Sequence, residues 1–335
     1  MKLSARRARI GALAGAALAL LSAGAARAAE TITAIVENDS FFDESDRHYT
    51  NGLYFSWTSD ASAARDGVAD WADTLMIASP GADATYRYGA FLGQSMFTPQ
   101  NLFLGNPDKT DRPYAGWLYA GGRLYREDGD TLDRAEATLG VVGPASGADS
   151  LQKWWHAIGL FGGVKPQGWS HQLRDEPGLV LTEQHIARYG TTLGGFEVEA
   201  LPELSVTVGN VFDYAAAGAM VRFGQGLKAD WGPARIQPGL DGADFVDDTK
   251  IGGFAWYVFA GLEGRAVARN IFLDGNSFES GPRVDRTPGV LDLNAGAAIL
   301  WPSFRLEAVF TERGSEFRGQ RGDDRFLAIN LSFAR

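Results

Sequence analysis

The final stretch of the chain, "RFLAINLSFAR", alternates without interruption: Phe326, Ala328, Asn330 and Ser332 fall on one side, and Leu327, Ile329, Leu331 and Phe333 on the other. A period of two is the mark of an extended strand whose faces meet different surroundings. The same rhythm sets Leu53, Phe55 and Trp57 opposite Tyr54, Ser56 and Thr58, and Ala135, Ala137, Leu139 and Val141 opposite Glu136, Thr138 and Gly140. "FEVEALPELSVTVGNV" reads as two strands about a turn at Pro202, "AWYVFAGLEGRAVARNIFLDG" divides the same way at Glu263-Gly264, and "LDLNAGAAILWPSFRLEAVFTE" at Trp301-Pro302-Ser303. Alternating segments of about ten residues, tight turns, longer polar connections and aromatics near strand ends form the pattern of a transmembrane β-barrel. The expected fold is all-β, an antiparallel transmembrane barrel of about 12 to 14 strands, with an even number for closure. A soluble β-sandwich also alternates and is the competing architecture.

The N-terminus fits a barrel that must be exported. "MKLSARRARIGALAGAALALLSAGAARAAE" carries Lys2, Arg6, Arg7 and Arg9, then a short apolar run, then Ala26-Arg27-Ala28, the layout of a secretory signal peptide over residues 1 to 28. A membrane-spanning helix needs about 20 apolar residues, and this run is shorter. Without the signal the chain holds 26 Lys+Arg against 41 Asp+Glu, a net charge of 26 − 41 = −15. Such a chain does not suit nucleic acid, which is held by clustered cations, but it can hold cations of its own. Cysteine is absent, which removes disulfides and thiolate chemistry. Residues 29 to 335 show no fixed repeat and no low-complexity linker and read as one domain. The longer polar stretches, 39–51, 60–84, 97–113, 143–179, 224–252 and 274–289, are the expected extracellular loops.

One stretch breaks the rhythm. "DSLQKWWHAIGLFGG" in the longest loop spaces Gln152 and His156 one helical turn apart, so both project from one face of a short helix with Asp149 or Ser150 as its N-cap. Gln152 can bond one ring nitrogen of His156 and leave the other to take a proton from water. No G-x-S-x-G motif occurs, so water is the economical nucleophile. His48, His171 and His185 show no partner constellation. Asn38 and Asp39 end the first strand, and Asp43, Glu44 and Asp46 follow before "HYTNG" opens the second. These hard oxygen donors suit Ca²⁺ more than zinc, although a solvated acidic turn would have the same composition. In "TDRPYAGWLY", Tyr114, Trp117 and Tyr119 read as an interfacial aromatic belt, and Arg112 as a rim cation placed to meet a lipid phosphate.

Together "ENDSFF", "DRHYTNG", "DRPYAGWLY", "GVVGP" with Gln152 and His156 after it, and "EFRGQRGDD" before the last strand resemble the LpxR-type lipid A 3'-O-deacylases of the Gram-negative outer membrane. The resemblance spans the exported chain. It implies a barrel of 12 strands in the outer membrane, working on lipid A or lipopolysaccharide from a site between the barrel wall and a helix in an extracellular loop. It further implies Ca²⁺ as cofactor, His156 as general base with Gln152 beside it, and Asn38, Asp39 and Thr50 lining the Ca²⁺ and oxyanion region. Arg112 and Lys153, with Lys165, are the cations left to meet the substrate's phosphates, and one copy is taken as the working unit. A barrel phospholipase with a serine nucleophile and a passive porin are the competing functions.

Overall fold

The computed structural model describes residues 30–39, 47–61, 69, 73–74, 76, 81, 84–158, 166–236 and 238–335, and of residues 156–158 it describes the backbone alone. The signal segment and Asp43, Glu44, Asp46 and Lys165 lie outside these residues. The strands are β1 (Thr31–Asn38), β2 (His48–Thr58), β3 (Thr85–Thr98), β4 (Ala115–Asp128), β5 (Thr131–Val142), β6 (Glu176–Ala187), β7 (Tyr189–Leu193), β8 (Phe196–Gly209), β9 (Phe212–Gln225), β10 (Ala255–Asn270), β11 (Gly289–Trp301), β12 (Phe304–Arg313) and β13 (Asp324–Ala334). Helix α1 (Ala148–Ile158) lies between β5 and β6, and the single turn α2 (Ile271–Asp274) follows β10.

Every ladder is antiparallel, and two pairings close the sheet on itself. β1 pairs with β13, from Thr31↔Ala334 to Asn38↔Leu327, and β6 pairs with β8. β7 carries on along β8 in the register of β6, from Ile186↔Glu203 to Tyr189↔Ala200, so β6 and β7 are one stave and the barrel has twelve. The interruption falls opposite Pro202, which has no N–H to give the ladder. Pro202 is thus a break in one ladder inside the continuous β8, where a turn was expected. Glu263-Gly264 likewise lies within the unbroken β10, while Pro302-Ser303 is the turn expected. A proline or an E-G pair signals a turn only when both flanking ladders end there.

The strand faces are inverted relative to a soluble protein. Lumen positions carry buried charge, including Arg123, Arg222, Arg265, Asp292, Arg305 and Glu307, whereas outward positions carry exposed Phe55 (57%), Leu139 (65%) and Leu204 (61%). A continuous apolar belt of this kind belongs in lipid, which decides against the sandwich. At the end holding both chain termini, Phe254, Trp301, Phe304 and Phe333 cluster ring to ring, as in an interfacial girdle. The belt expected at Trp117 and Tyr119 does not form. Their parity turns them into the lumen, where they are buried against each other at 4.4 Å, and Tyr114 is buried against Trp169.

Strand direction also sorts the connections. The connections after β1, β3, β5, β10 and β12 leave at the end opposite the termini, but those after β2 and β9 leave at the terminus end, contrary to the expectation from their length and polarity. Residues 226–254 turn back and fill the lumen as a plug. Asp244, wholly buried, accepts from Arg123 (2.9 Å), Thr58 (2.9 Å) and Tyr125 (3.1 Å) of the wall, and its backbone carbonyl accepts from Thr33 (2.9 Å). At the plug's root Asp230 pairs with Arg222 and Arg305, and the Arg188 guanidinium lies 3.8 Å from the centre of the Trp231 ring.

Candidate active site on the outer wall

Glu37 points into the lumen, so the next residue, Asn38, points outward; it is nonetheless 2% exposed. It sits directly across the ladder from Asn51, which pairs with Met96, which pairs with Gly116. These four positions form one outward-facing row across β1 to β4, near the end away from the termini. The β2 register slips between Tyr49 and Asn51, leaving Thr50 as the extra residue of a bulge. Its hydroxyl meets that of Thr98 at 2.7 Å, and its carbonyl accepts from the Asp39 N–H at 3.4 Å. The Asp39 carboxylate accepts from the Arg47 backbone N–H at 2.6 Å. Asn38, Asp39 and Thr50 are therefore neighbours at this end of β1 and β2.

The far end of this row lies under α1. A Cβ on Gly116 would overlap the Ser146 hydroxyl and the Ala148 methyl, so the absence of a side chain is what lets the helix approach the wall. Gln94, another outward residue, donates to the Ser146 carbonyl at 2.5 Å. Ala148 then packs with Met96, Leu102, Tyr114 and Trp169, with Leu151 and Trp155 against them. The helix is amphipathic because these residues recur on one face while Asp149, Lys153 and Trp154 stay outside. It begins at Ala148, so Asp149 lies in the first turn, where its charge meets the helix dipole, and not at the cap.

Gln152 sits on the wall side, 2% exposed, with its amide oxygen accepting from the Trp169 indole at 2.7 Å. That contact turns the Gln152 NH₂ away from Trp169. The backbone of His156 lies one turn further along the same face, but its side chain lies outside what is described. Lys153 is exposed, paired with Asp149 at 2.7 Å, and lines an open cavity of about 1370 Å³ with Lys109, His171 and Arg283. Arg112 departs from the expected rim cation. It is fully buried, donates to Glu316 at 3.0 Å and lies over the Phe97 ring at 4.8 Å, which makes it an internal brace.

The partners missing for His48 come from distant loops. Its Nδ1 is 2.6 Å from Asp324 and its Nε2 3.5 Å from Asp111, and Phe317 stands edge-on at 5.4 Å. His48 has φ 59°, a left-handed backbone unusual outside glycine, at the point where the chain turns from Arg47 into β2. Burial pushes the Asp111 carboxyl up, but His48 and the Gln100 N–H outweigh it and hold Asp111 below the usual range. Glu316 is likewise raised by burial but held low overall by Arg112 and Arg313. "EFRGQRGDD" thus supplies Glu316, Phe317 and Asp324 to this clamp, a role visible only once the loops meet. His185 also has a partner, Asp133 at 2.6 Å, far from the site.

A calcium ion fits the donor chemistry at the β1 end, where carboxylate, amide and hydroxyl oxygens meet without sulfur or imidazole. Among the described residues no group of three or more His, Asp or Glu side chains is poised to hold a metal, so such an ion would draw on amide and backbone oxygens as well.

A closed barrel with apolar outer staves, a plugged lumen and a helix docked outside its wall defines the class, a transmembrane barrel whose candidate site faces the lipid. The chain belongs to the LpxR family, since the family model for outer membrane protein LpxR matches residues 12–335, and it is accordingly a protein of the outer membrane. Among solved structures, LpxR from Salmonella typhimurium superposes with a TM-score of 0.73 at 22% identity, covering 90% of this chain and 99% of that one, a likeness of fold. The β domain of the Bordetella autotransporter BrkA follows at a TM-score of 0.43 and 12% identity, covering 91% of this chain and 98% of that one. No curated protein matches.

Proposed function

We propose that this protein is an outer-membrane esterase that removes a 3'-linked acyl chain from lipid A by Ca²⁺-assisted attack of water, with His156 as general base. The observation that carries the reading is the position of α1, which docks on the outer wall over the Met96 and Gly116 end of the row that Asn38 and Asn51 begin. A site there meets lipid directly. The filled lumen speaks against a passive pore.

His156 takes a proton from water, the water oxygen adds to the acyl carbonyl, the ester C–O bond breaks, and the proton passes to the departing sugar hydroxyl. Gln152, held by Trp169, orients the imidazole. Ca²⁺ at Asp39 and Asn38 would supply charge to the carbonyl oxygen as it becomes an oxyanion. Lys153 and the other cations around the cavity meet the phosphorylated head, while Arg112 secures the loop that borders it.

Mass spectrometry of lipid A from cells with and without the protein tests the reading. Loss of one ester-linked acyl chain only when the protein is present supports it, and an unchanged lipid A spectrum removes it.

A further inference from the structure

Behind the candidate site, on the lumen face, the plug reaches its apex at Arg235 and Ile236, and both converge on Glu37. Arg235 Nε donates to Glu37 Oε1 at 3.1 Å and the Ile236 N–H to the same oxygen at 3.3 Å. Tyr49 donates its hydroxyl to Glu37 Oε2 at 2.8 Å, and Asn51 donates to the Glu37 carbonyl at 3.1 Å. Arg235 is itself fixed by Asn294 at 2.7 Å, which also accepts from Thr311 at 2.8 Å. Gly52 completes the fit. A Cβ there would overlap the Tyr49 hydroxyl and crowd Ile236.

The wall residues that the plug reaches at Glu37 are chain neighbours of site residues. Glu37 precedes Asn38 and Asp39, and Tyr49 and Asn51 flank Thr50. Strand parity and the bulge put Glu37 and Tyr49 on the lumen face of the wall and Asn38 and Thr50 on its outer face, so a force on Glu37 and Tyr49 is felt as a displacement of Asn38 and Thr50. We propose that the plug apex is a positioning device: Arg235, acting through Glu37, holds the ends of β1 and β2 so that Asn38, Asp39 and Thr50 keep the separation the reaction needs. Arg235 never touches substrate. The kinetic consequence rests on the esterase reading, whereas the mechanical link between plug and strand ends stands by itself.

Three full-length variants test this in detergent or in vesicles: Arg235→Met, Arg235→Lys, and Arg222→Met as the control, since Arg222 makes an equally buried ion pair with the plug at its root. Heat-modifiable gel mobility selects the folded fraction. Hydrogen exchange should accelerate by roughly tenfold or more at the β1 and β2 ends in Arg235→Met, while those ends in Arg222→Met exchange as in the parent. Deacylation by Arg235→Met should fall about 10- to 100-fold in kcat with KM within about twofold, the scale of a displacement of about 1 Å, and Arg235→Lys should recover part of it. Unchanged exchange at the β1 and β2 ends in folded Arg235→Met overturns the proposal, as does an equal kcat loss in Arg222→Met. If the parent protein proves to have no deacylase activity, the exchange experiment still decides whether the apex positions these ends. Should Arg235→Met fail to fold, Glu37→Gln, which keeps the side chain's shape and removes its charge, takes its place with the same expected outcomes.

Discussion

In the proposed mechanism His156 carries the proton step, so His156→Ala should lower turnover by roughly 10² to 10⁴, the range of a lost general base, while the barrel still runs as a folded band on an unheated gel. Retained activity would take it out of the mechanism. Asp39→Asn and chelation by EGTA should each cost about 10², and together little more than either, because in the proposed mechanism both disable one oxyanion contact. Additive losses would separate Asp39 from the ion. The clamp around His48 has its own pH signature. Asp111 and Glu316 are held below their ordinary values, so their contribution to the folded loops is complete above about pH 4 to 4.5 and is lost as pH falls further through the folded values. Protease nicking of these loops should rise in that acid window, and His48, lowered by burial but raised overall by Asp111 and Asp324, adds a second loss as pH climbs through its folded value; flat nicking at acid pH would place the carboxylate titration elsewhere. At this scale the sequence was readable where partners are local. Asn38, Asp39 and Thr50 lie on two strands joined by one loop, and Gln152 and His156 lie one turn apart, whereas His48 needs Asp324, 276 positions away. Arg112 was misread for the same reason, since its partner Glu316 is 204 positions off.

Helix α1 is held by shape more than by charge. Replacing Gly116 by Leu places a side chain where Ser146 and Ala148 now rest, so the helix must lift from β4. Deacylation should be largely lost, α1 should become sensitive to protease, and the folded band should persist because Gly116 points away from the lumen. Normal activity in Gly116→Leu would mean that the docked helix is not part of the site. The helix was legible because its period of 3.6 interrupts a period of two, and so were the strands. Strand ends were less so. Pro202 and Glu263-Gly264 resemble turns locally, but the neighbouring staves keep pairing past both and extend β8 and β10 beyond ten residues each. Local chemistry proposes a turn, and long-range pairing overrules it.

The plug could not be read from the chain because polarity and length mark a loop without saying which end it leaves or whether it folds inward. Its presence predicts a barrel silent to ions in planar bilayers; steady conductance by the intact protein would show that the lumen opens. It also predicts that Asp244→Ala, which leaves Arg123 only Glu136 as a carboxylate partner, lowers stability by about 1–3 kcal/mol, visible as a lower temperature for loss of the folded band. No such shift would mean that water reaches Arg123. The closure of the barrel has a consequence in time. β1, which carries Asn38 and Asp39 at its end, zips to β13, the last strand to be synthesised. Its edge stays open until the C-terminus arrives, the slowest kind of contact for a chain to make. A nascent or half-inserted polypeptide therefore lacks a finished site. On the proposed esterase reading, hydrolysis then waits for the barrel to close.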